Sequence, residues 1–237
     1  MKKLLILQHS EESPKDTTID WCTTYQIEPV LQKVWINQTW PSLDDYIGVV
    51  ICGGGMDVDQ EEQHPWLSKE KLFIKNLLQS KRKTLGLCLG AQLIAEVLGA
   101  KVQPHTHWEV GWHTIELIKN PYFPPEIQNL RAFQWHGYTF SLPPGSTSVG
   151  ASAACLNQGF LVGDHALAFQ FHPESHRDWI IECAETHPDK FPKGPFVQRG
   201  PEISAELHQQ PKLKNWYWNV LNLFFDPSQK GSKFLKE

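Results

Sequence analysis

Lys83-Thr84-Leu85-Gly86-Leu87-Cys88-Leu89-Gly90-Ala91-Gln92-Leu93-Ile94-Ala95 reads as a buried strand that ends in a cysteine and turns at once into an amphipathic helix. When a strand reverses sharply into a helix, the residue at the apex is pushed clear of both elements. The backbone around it is then too crowded for side chains two residues before and two after. Gly86 and Gly90 stand at those two places. The apex also faces the first turn of a helix, where unpaired N–H groups and the helix dipole favour an anion such as a thiolate. Cys88 is therefore the first candidate for a nucleophile, although the same residues also suit a buried structural cysteine beside a turn.

Working outward, residues 4–7 form a continuous apolar strand of the kind found in the middle of a sheet covered by helices. A helix is expected over 18–26, a second strand at Lys33-Val34-Trp35-Ile36 and a third over 46–52, running into Gly53-Gly54-Gly55. Residues 65–79 carry apolar positions at helical spacing with proline in the first turn, and Gly99 suits the end of the helix that follows Cys88. The order βαββαβα argues for an α/β fold, a mostly parallel central sheet with helices on both faces. Beyond Gly99 the texture changes. Short strand-like pieces at 110–118, 132–135 and 146–150 predict a small antiparallel accessory sheet, and 159–162 with 166–171 predict a hairpin. A helix is expected over 177–185, irregular chain over 188–211 and an aromatic-rich helix over 215–225. The domain is expected to span 1–225, with 226–237 as a C-terminal tail.

The composition excludes several classes. A net charge of −4 over 237 residues gives no electrostatic reason to expect nucleic acid or an anionic membrane as a partner. No apolar run approaches the roughly 20 residues of a membrane span. The apolar run after Met1-Lys2-Lys3 stops at Gln8-His9, too soon for a signal peptide. Five cysteines, Cys22, Cys52, Cys88, Cys155 and Cys183, are odd in number and lack a C-x-x-C, which fits a reducing, cytoplasmic setting better than a disulfide framework or a zinc site. His105, His107 and His113 match no standard metal-ligand spacing, and no metal site is expected.

Two further stretches bear on chemistry. In His172-Pro173-Glu174 the proline disfavours helix before it, and on extended backbone residues i and i+2 share a face, so a carboxylate can orient an imidazole. A strand-ending turn with a solvated glutamate is the plainer alternative. Gly53-Gly54-Gly55 after a buried strand lets backbone N–H groups approach a ligand, as an oxyanion site requires, with the N–H of Leu89 as a second donor. A flexible loop would look the same, and neither G-x-G-x-x-G nor G-x-x-x-x-G-K-[ST] is present to suggest a nucleotide.

Gly86-Leu87-Cys88-Leu89-Gly90, His172-Pro173-Glu174 and the upstream triple glycine together resemble the class I, triad-type glutamine amidotransferase family. Glu109-Val110-Gly111-Trp112 and Trp135-His136-Gly137-Tyr138 are similar to the branch that holds the amidotransferase domain of GMP synthetase and the stand-alone γ-glutamyl peptidases. The resemblance implies a flavodoxin-like sheet and a cysteine-dependent amidase working through a γ-glutamyl thioester, with Cys88, His172 and Glu174 as the triad. It also implies Gly54 and Leu89 as oxyanion donors, and Gln92 with the backbone at Gly137 and Tyr138 as contacts to a small-molecule substrate, glutamine or a γ-glutamyl compound. This chain carries Tyr138 where many members have Asp. No metal or organic cofactor is implied. One alternative is a glutaminase that supplies ammonia to a separate synthetase; another is a non-catalytic binding module that keeps the fold.

Overall fold

The computed structural model describes residues 2–11, 16–186, 191 and 193–225. Its frame is a seven-stranded sheet built from β1 (Lys3–Gln8), β2 (Glu28–Lys33), β3 (Tyr46–Ile51), β4 (Thr84–Leu87), β7 (Thr147–Ser148), β9 (Gly159–Val162) and β10 (Ala166–Phe169). The order is β2-β1-β3-β4-β10-β9-β7. The first five strands run parallel, and β9 and β7 continue the sheet antiparallel. The mostly parallel sheet and the 159–169 hairpin thus agree with the pattern of the sequence.

Period-two alternation sorts the side chains onto two faces. Leu4, Ile6, Val50, Leu85, Leu87, Leu167 and Phe169 point to one core, shared with Trp21 and Cys22 of α1 (Thr17–Thr24) and with Trp216, Tyr217 and Phe224 of α6 (Gln210–Phe225). Leu5, Leu7, Val49, Ile51, Ala166 and Ala168 point to the other, against Ile74 and Leu77 of α2 (Trp66–Gln79) and Leu93 and Ile94 of α3 (Leu89–Val97). Both faces are covered, which is why these strands read as unbroken apolar runs. Helices α1 and α6 are joined by polar contacts within the core. Trp21 Nε1 donates to Asn222 Oδ1 at 2.8 Å, and Trp218 Nε1 donates to the Thr17 carbonyl at 3.1 Å.

A second sheet, ordered β6-β5-β8, is antiparallel and joins β5 (Val102–Leu117), β6 (Asn129–Phe140) and β8 (Gly150–Ser152). Its Trp112 and Phe133 pack into the first core. Strands β5 and β6 are longer than the fragments expected from sequence, because pairing continues past a break in register between Pro104 and Glu109, where the apolar alternation is lost. The piece expected at 146–150 is instead divided, Thr147–Ser148 pairing with β9 in the main sheet and Gly150–Ser152 with β5.

Three expectations are corrected. The second strand is Glu28–Lys33, whereas residues 34–36 form a turn. Pro29 concealed the strand in the sequence, yet β2 is an edge strand, where a missing N–H is tolerated. The stretch 188–211 is not wholly irregular: α5 (Gly200–Ala205) and a 3-10 turn, Leu207–Gln209, lie within it. Pro201 sits in the first turn of α5, where its missing donor costs nothing, and Glu202 accepts from the Arg199 N–H at 2.7 Å. The last helix, α6, begins at Gln210, ahead of the expected start. Helix α4 (Arg177–Thr186) falls where expected. The tail 226–237 lies outside the described residues.

Candidate active site

Cys88 joins β4 to α3 with φ 50° and ψ −105°, a left-handed backbone that an L-residue adopts only when its surroundings impose it. The surroundings here are close. A Cβ on Gly86 would stand 2.6 Å from the Gly90 carbonyl oxygen, and one on Gly90 would stand 2.1 Å from that of Ile51. The elbow is pinned on three sides: the Cys88 N–H donates to the Phe169 carbonyl at 2.8 Å, Gly90 to that of Cys52 at 3.2 Å, and Gln92 to that of Cys88 at 3.0 Å. The first two bonds tie the apex to β10 and to the residue that follows β3, β10 and β3 being the strands that flank β4.

His172 leaves the end of β10 with its N–H bonded to the Phe133 carbonyl at 2.9 Å. Its Nδ1 lies 2.8 Å from Glu174 Oε1. Nδ1 meets a carboxylate and so carries the proton, leaving Nε2 as the working nitrogen. His172 and Cys88 lie side by side. A Cβ on Gly53 would stand 3.0 Å from the His172 ring and 3.5 Å from the Cys88 Cβ. Nε2 of His172 makes no hydrogen bond of regular geometry to a protein atom, yet the Cys88 sulfur is near enough for its charge to act on the ring. Burial pushes the His172 pKa down, but Glu174 and Cys88 more than offset it, and the net shift is well upward. The cluster thus favours an imidazolium held between a carboxylate and a sulfur.

Gly53 and Gly54 are glycines for want of space. A Cβ on Gly54 would stand 2.7 Å from Met56 Sδ and 2.8 Å from both His9 Cβ and Leu89 Cδ2. Gly55 has open space and needs no such exemption. Cys88, His172, Glu174 and residues 53–55 line one cavity of about 290 Å³, together with Asp16, Cys52, Trp135, Trp179 and Cys183.

The three expected substrate contacts lie outside that lining. Gln92 is buried, and its Nε2 donates to Gln170 Oε1 at 3.2 Å; Gln170 in turn presents its Nε2 to Cys88 Sγ at 3.7 Å. Gly137 is flat against the indole of Trp108, whose nearest carbon would stand 2.7 Å from an added Cβ. The Tyr138 phenol lies near Asp57 and Asp59, and burial together with these two carboxylates raises its pKa. The Tyr138 carbonyl accepts from His136 Nδ1 at 2.9 Å, while His136 Nε2 faces the buried Glu109 at 3.1 Å. Among the described residues no group of three or more His, Cys, Asp or Glu is arranged to hold a metal ion. All five cysteines are free and buried.

The sequence reading missed Asp16 and Gln170. Asp16 caps α1, accepting from the Thr18 N–H at 2.7 Å, and bridges to Ser175 beside the triad. Its pKa is raised to about 7 by burial and by the charge of Glu174. Asp16-Thr17-Thr18 is a legible helix start, but nothing local tells that the start abuts Glu174. Gln170 was findable, since it precedes His172 by two residues, the same spacing that paired His172 with Glu174.

The fold and the cysteine elbow define a class I glutamine amidotransferase architecture, and the family model for glutamine amidotransferase class-I matches residues 5–178, so the chain belongs to that family. Its relatives include gamma-glutamyl peptidase 2 of Arabidopsis thaliana, 32% identical over 164 residues that span 66% of this chain and 65% of that protein, just under two thirds of the relative's length. A GMP synthase of Christiangramia forsetii is 28% identical over 137 residues, 56% of this chain and 25% of that one. Among solved structures, a glutamine amidotransferase from Thermotoga maritima superposes with a TM-score of 0.85 at 28% identity, covering 95% of this chain and 98% of that one. No helix among the described residues is long and apolar enough to cross a membrane.

Proposed function

We propose that this protein is an amidase that cleaves γ-glutamyl amides through a thioester on Cys88. The observation that carries the reading is the left-handed Cys88 elbow beside His172, whose Nδ1 is held 2.8 Å from Glu174 inside one cavity. Cys88 sulfur adds to the γ-carbonyl carbon, and the oxygen becomes an oxyanion held by the Gly54 and Leu89 N–H groups. The C–N bond then breaks and the leaving amine takes a proton from His172 Nε2. A water, deprotonated by the same nitrogen, adds to the thioester, and glutamate leaves as the thiol is restored. Glu174 holds the imidazole in the tautomer that serves both steps. Gln92 and the backbone at Gly137 and Tyr138 are assigned to the substrate, Gln92 reaching it once its bond to Gln170 is exchanged.

The amide acted on separates two roles. Similarity to a gamma-glutamyl peptidase favours cleavage of γ-glutamyl peptides by this chain alone, and its five free cysteines suit a reducing, cytoplasmic setting. Similarity to the GMP synthase, of which a quarter is matched, supports a second reading in which ammonia from glutamine passes to a separate synthetase. An electrophilic glutamine analogue followed by mass mapping tests the chemistry: an adduct on Cys88 is expected, and its absence under native conditions would return the protein to the binding-module alternative. Assay of free glutamine against γ-glutamyl dipeptides then tests the role. Peptide cleavage with negligible glutamine turnover is the expected result; the reverse preference selects the ammonia donor.

A further inference from the structure

The Gly53-Gly54 peptide is anchored by a buried histidine–carboxylate pair that the catalytic steps above do not use. His9 follows β1 directly, and its side chain and that of Glu70 on α2 are both fully enclosed. His9 Nδ1 lies 3.2 Å from the Gly53 carbonyl oxygen, and Nε2 lies 3.0 and 3.1 Å from the two Glu70 oxygens. The ring stacks on Trp66 with centroids 5.6 Å apart. A carbonyl can only accept, so Nδ1 donates to Gly53 whichever group holds the second proton. Burial lowers the His9 pKa, but the charge and hydrogen bond of Glu70, with the Gly53 and Cys52 carbonyls, outweigh it and the net shift is upward, toward the protonated ring.

This contact fixes more than one oxygen. In a trans peptide the C=O and the following N–H point in opposite directions, and no cis peptide occurs among the described residues. Holding the Gly53 oxygen against His9 therefore turns the Gly54 N–H the other way. Two successive glycines have little conformational preference of their own and would let that peptide rotate. A buried ion pair is also a poor choice for packing alone, since a hydrophobic pair of the same volume serves stability as well or better.

We infer that His9, backed by Glu70, is a positioning residue that sets the Gly53-Gly54 peptide so that the Gly54 N–H is presented as an oxyanion donor. The inference rests on the amidase reading above. The decisive comparison is His9→Ala with His9→Asn, whose side-chain amide places a donor near the former Nδ1. Removal of an oxyanion donor costs about 10²- to 10³-fold in kcat, so a misoriented one in H9A is expected to cost about tenfold to a hundredfold, with KM within about threefold. Alkylation of Cys88 by iodoacetamide, which forms no oxyanion, stays at the wild-type rate, and H9N recovers most of the lost kcat. A crystal structure of H9A is expected to show the Gly53 carbonyl turned from its wild-type direction. Folded H9A with kcat within about twofold of wild type overturns the inference, as does an unmoved peptide or an H9N as impaired as H9A. Should H9A fail to fold, Glu70→Gln carries the test, with an expected kcat loss of about threefold to tenfold at constant KM; unchanged kcat overturns it. Wild-type protein that cleaves no γ-glutamyl amide refutes the functional reading instead, and the peptide orientation in the H9A crystal then decides the inference without turnover.

Discussion

At Cys88 the backbone holds a conformation that costs an L-residue on the order of 1–3 kcal/mol, and close packing on both sides supplies the compensation. Gly90 is the tightest of these contacts, because its absent Cβ would meet the backbone oxygen of Ile51 rather than a movable side chain. Gly90→Ala is expected to destabilise the fold by about 2–4 kcal/mol, read as a lower denaturant midpoint. Gly55→Ala, into open space, is expected to stay within about 0.5 kcal/mol of wild type. Equal losses in the two variants would remove the steric argument for the elbow. The elbow glycines were legible in the sequence because their spacing about a cysteine is a local pattern. Which members of the triple glycine are needed was not, since that depends on His9 and Leu89 arriving from the end of β1 and the start of α3.

Element order was legible wherever burial on both faces produced an unbroken apolar run, as in β1, β3 and β4. It failed for β2, whose Pro29 reads as a breaker until the strand is known to lie at an edge, and for the first half of β5, whose Pro104, His105 and His107 break the alternation. Helix α6 illustrates how an element legible in kind can matter in ways its own residues do not reveal. Trp216 packs against Phe123, Phe169 and Phe171, with centroids 5.1, 5.5 and 5.9 Å from its own, and Phe171 precedes His172 directly. Trp216→Ala is expected to cost about 3–5 kcal/mol of stability by leaving a cavity under the histidine. Leu72→Ala on the exposed side of α2, where that side chain is 61% accessible, is expected to cost less than about 0.5 kcal/mol. Thermal melts of the two variants check the pair. A Trp216→Ala protein as stable as wild type would show that α6 is not integral to the core.

Across the whole molecule, the site couples folding to pH in an unusual direction. Asp16 is ionised in the unfolded chain above its ordinary pKa near 3.8, whereas in the folded protein burial and the neighbouring Glu174 raise its pKa to about 7. Between these values the folded state binds the proton that the unfolded state has released, so stability falls as pH rises through this window. His172 adds to the trend at higher pH. Its folded pKa lies well above 6.5, so the stabilisation it contributes is fully present below 6.5 and is lost as pH rises through the folded value. Asp16→Asn separates the two contributions, because asparagine caps a helix as well as aspartate does and removes only the titrating group. The melting temperature of Asp16→Asn is expected to exceed that of wild type at pH 8 by more than it does at pH 4, with the change falling between about pH 4 and 7. A constant difference across that range would mean that Asp16 is ionised alongside Glu174 in the native protein, and that the cavity tolerates two adjacent carboxylates beside the imidazolium of His172.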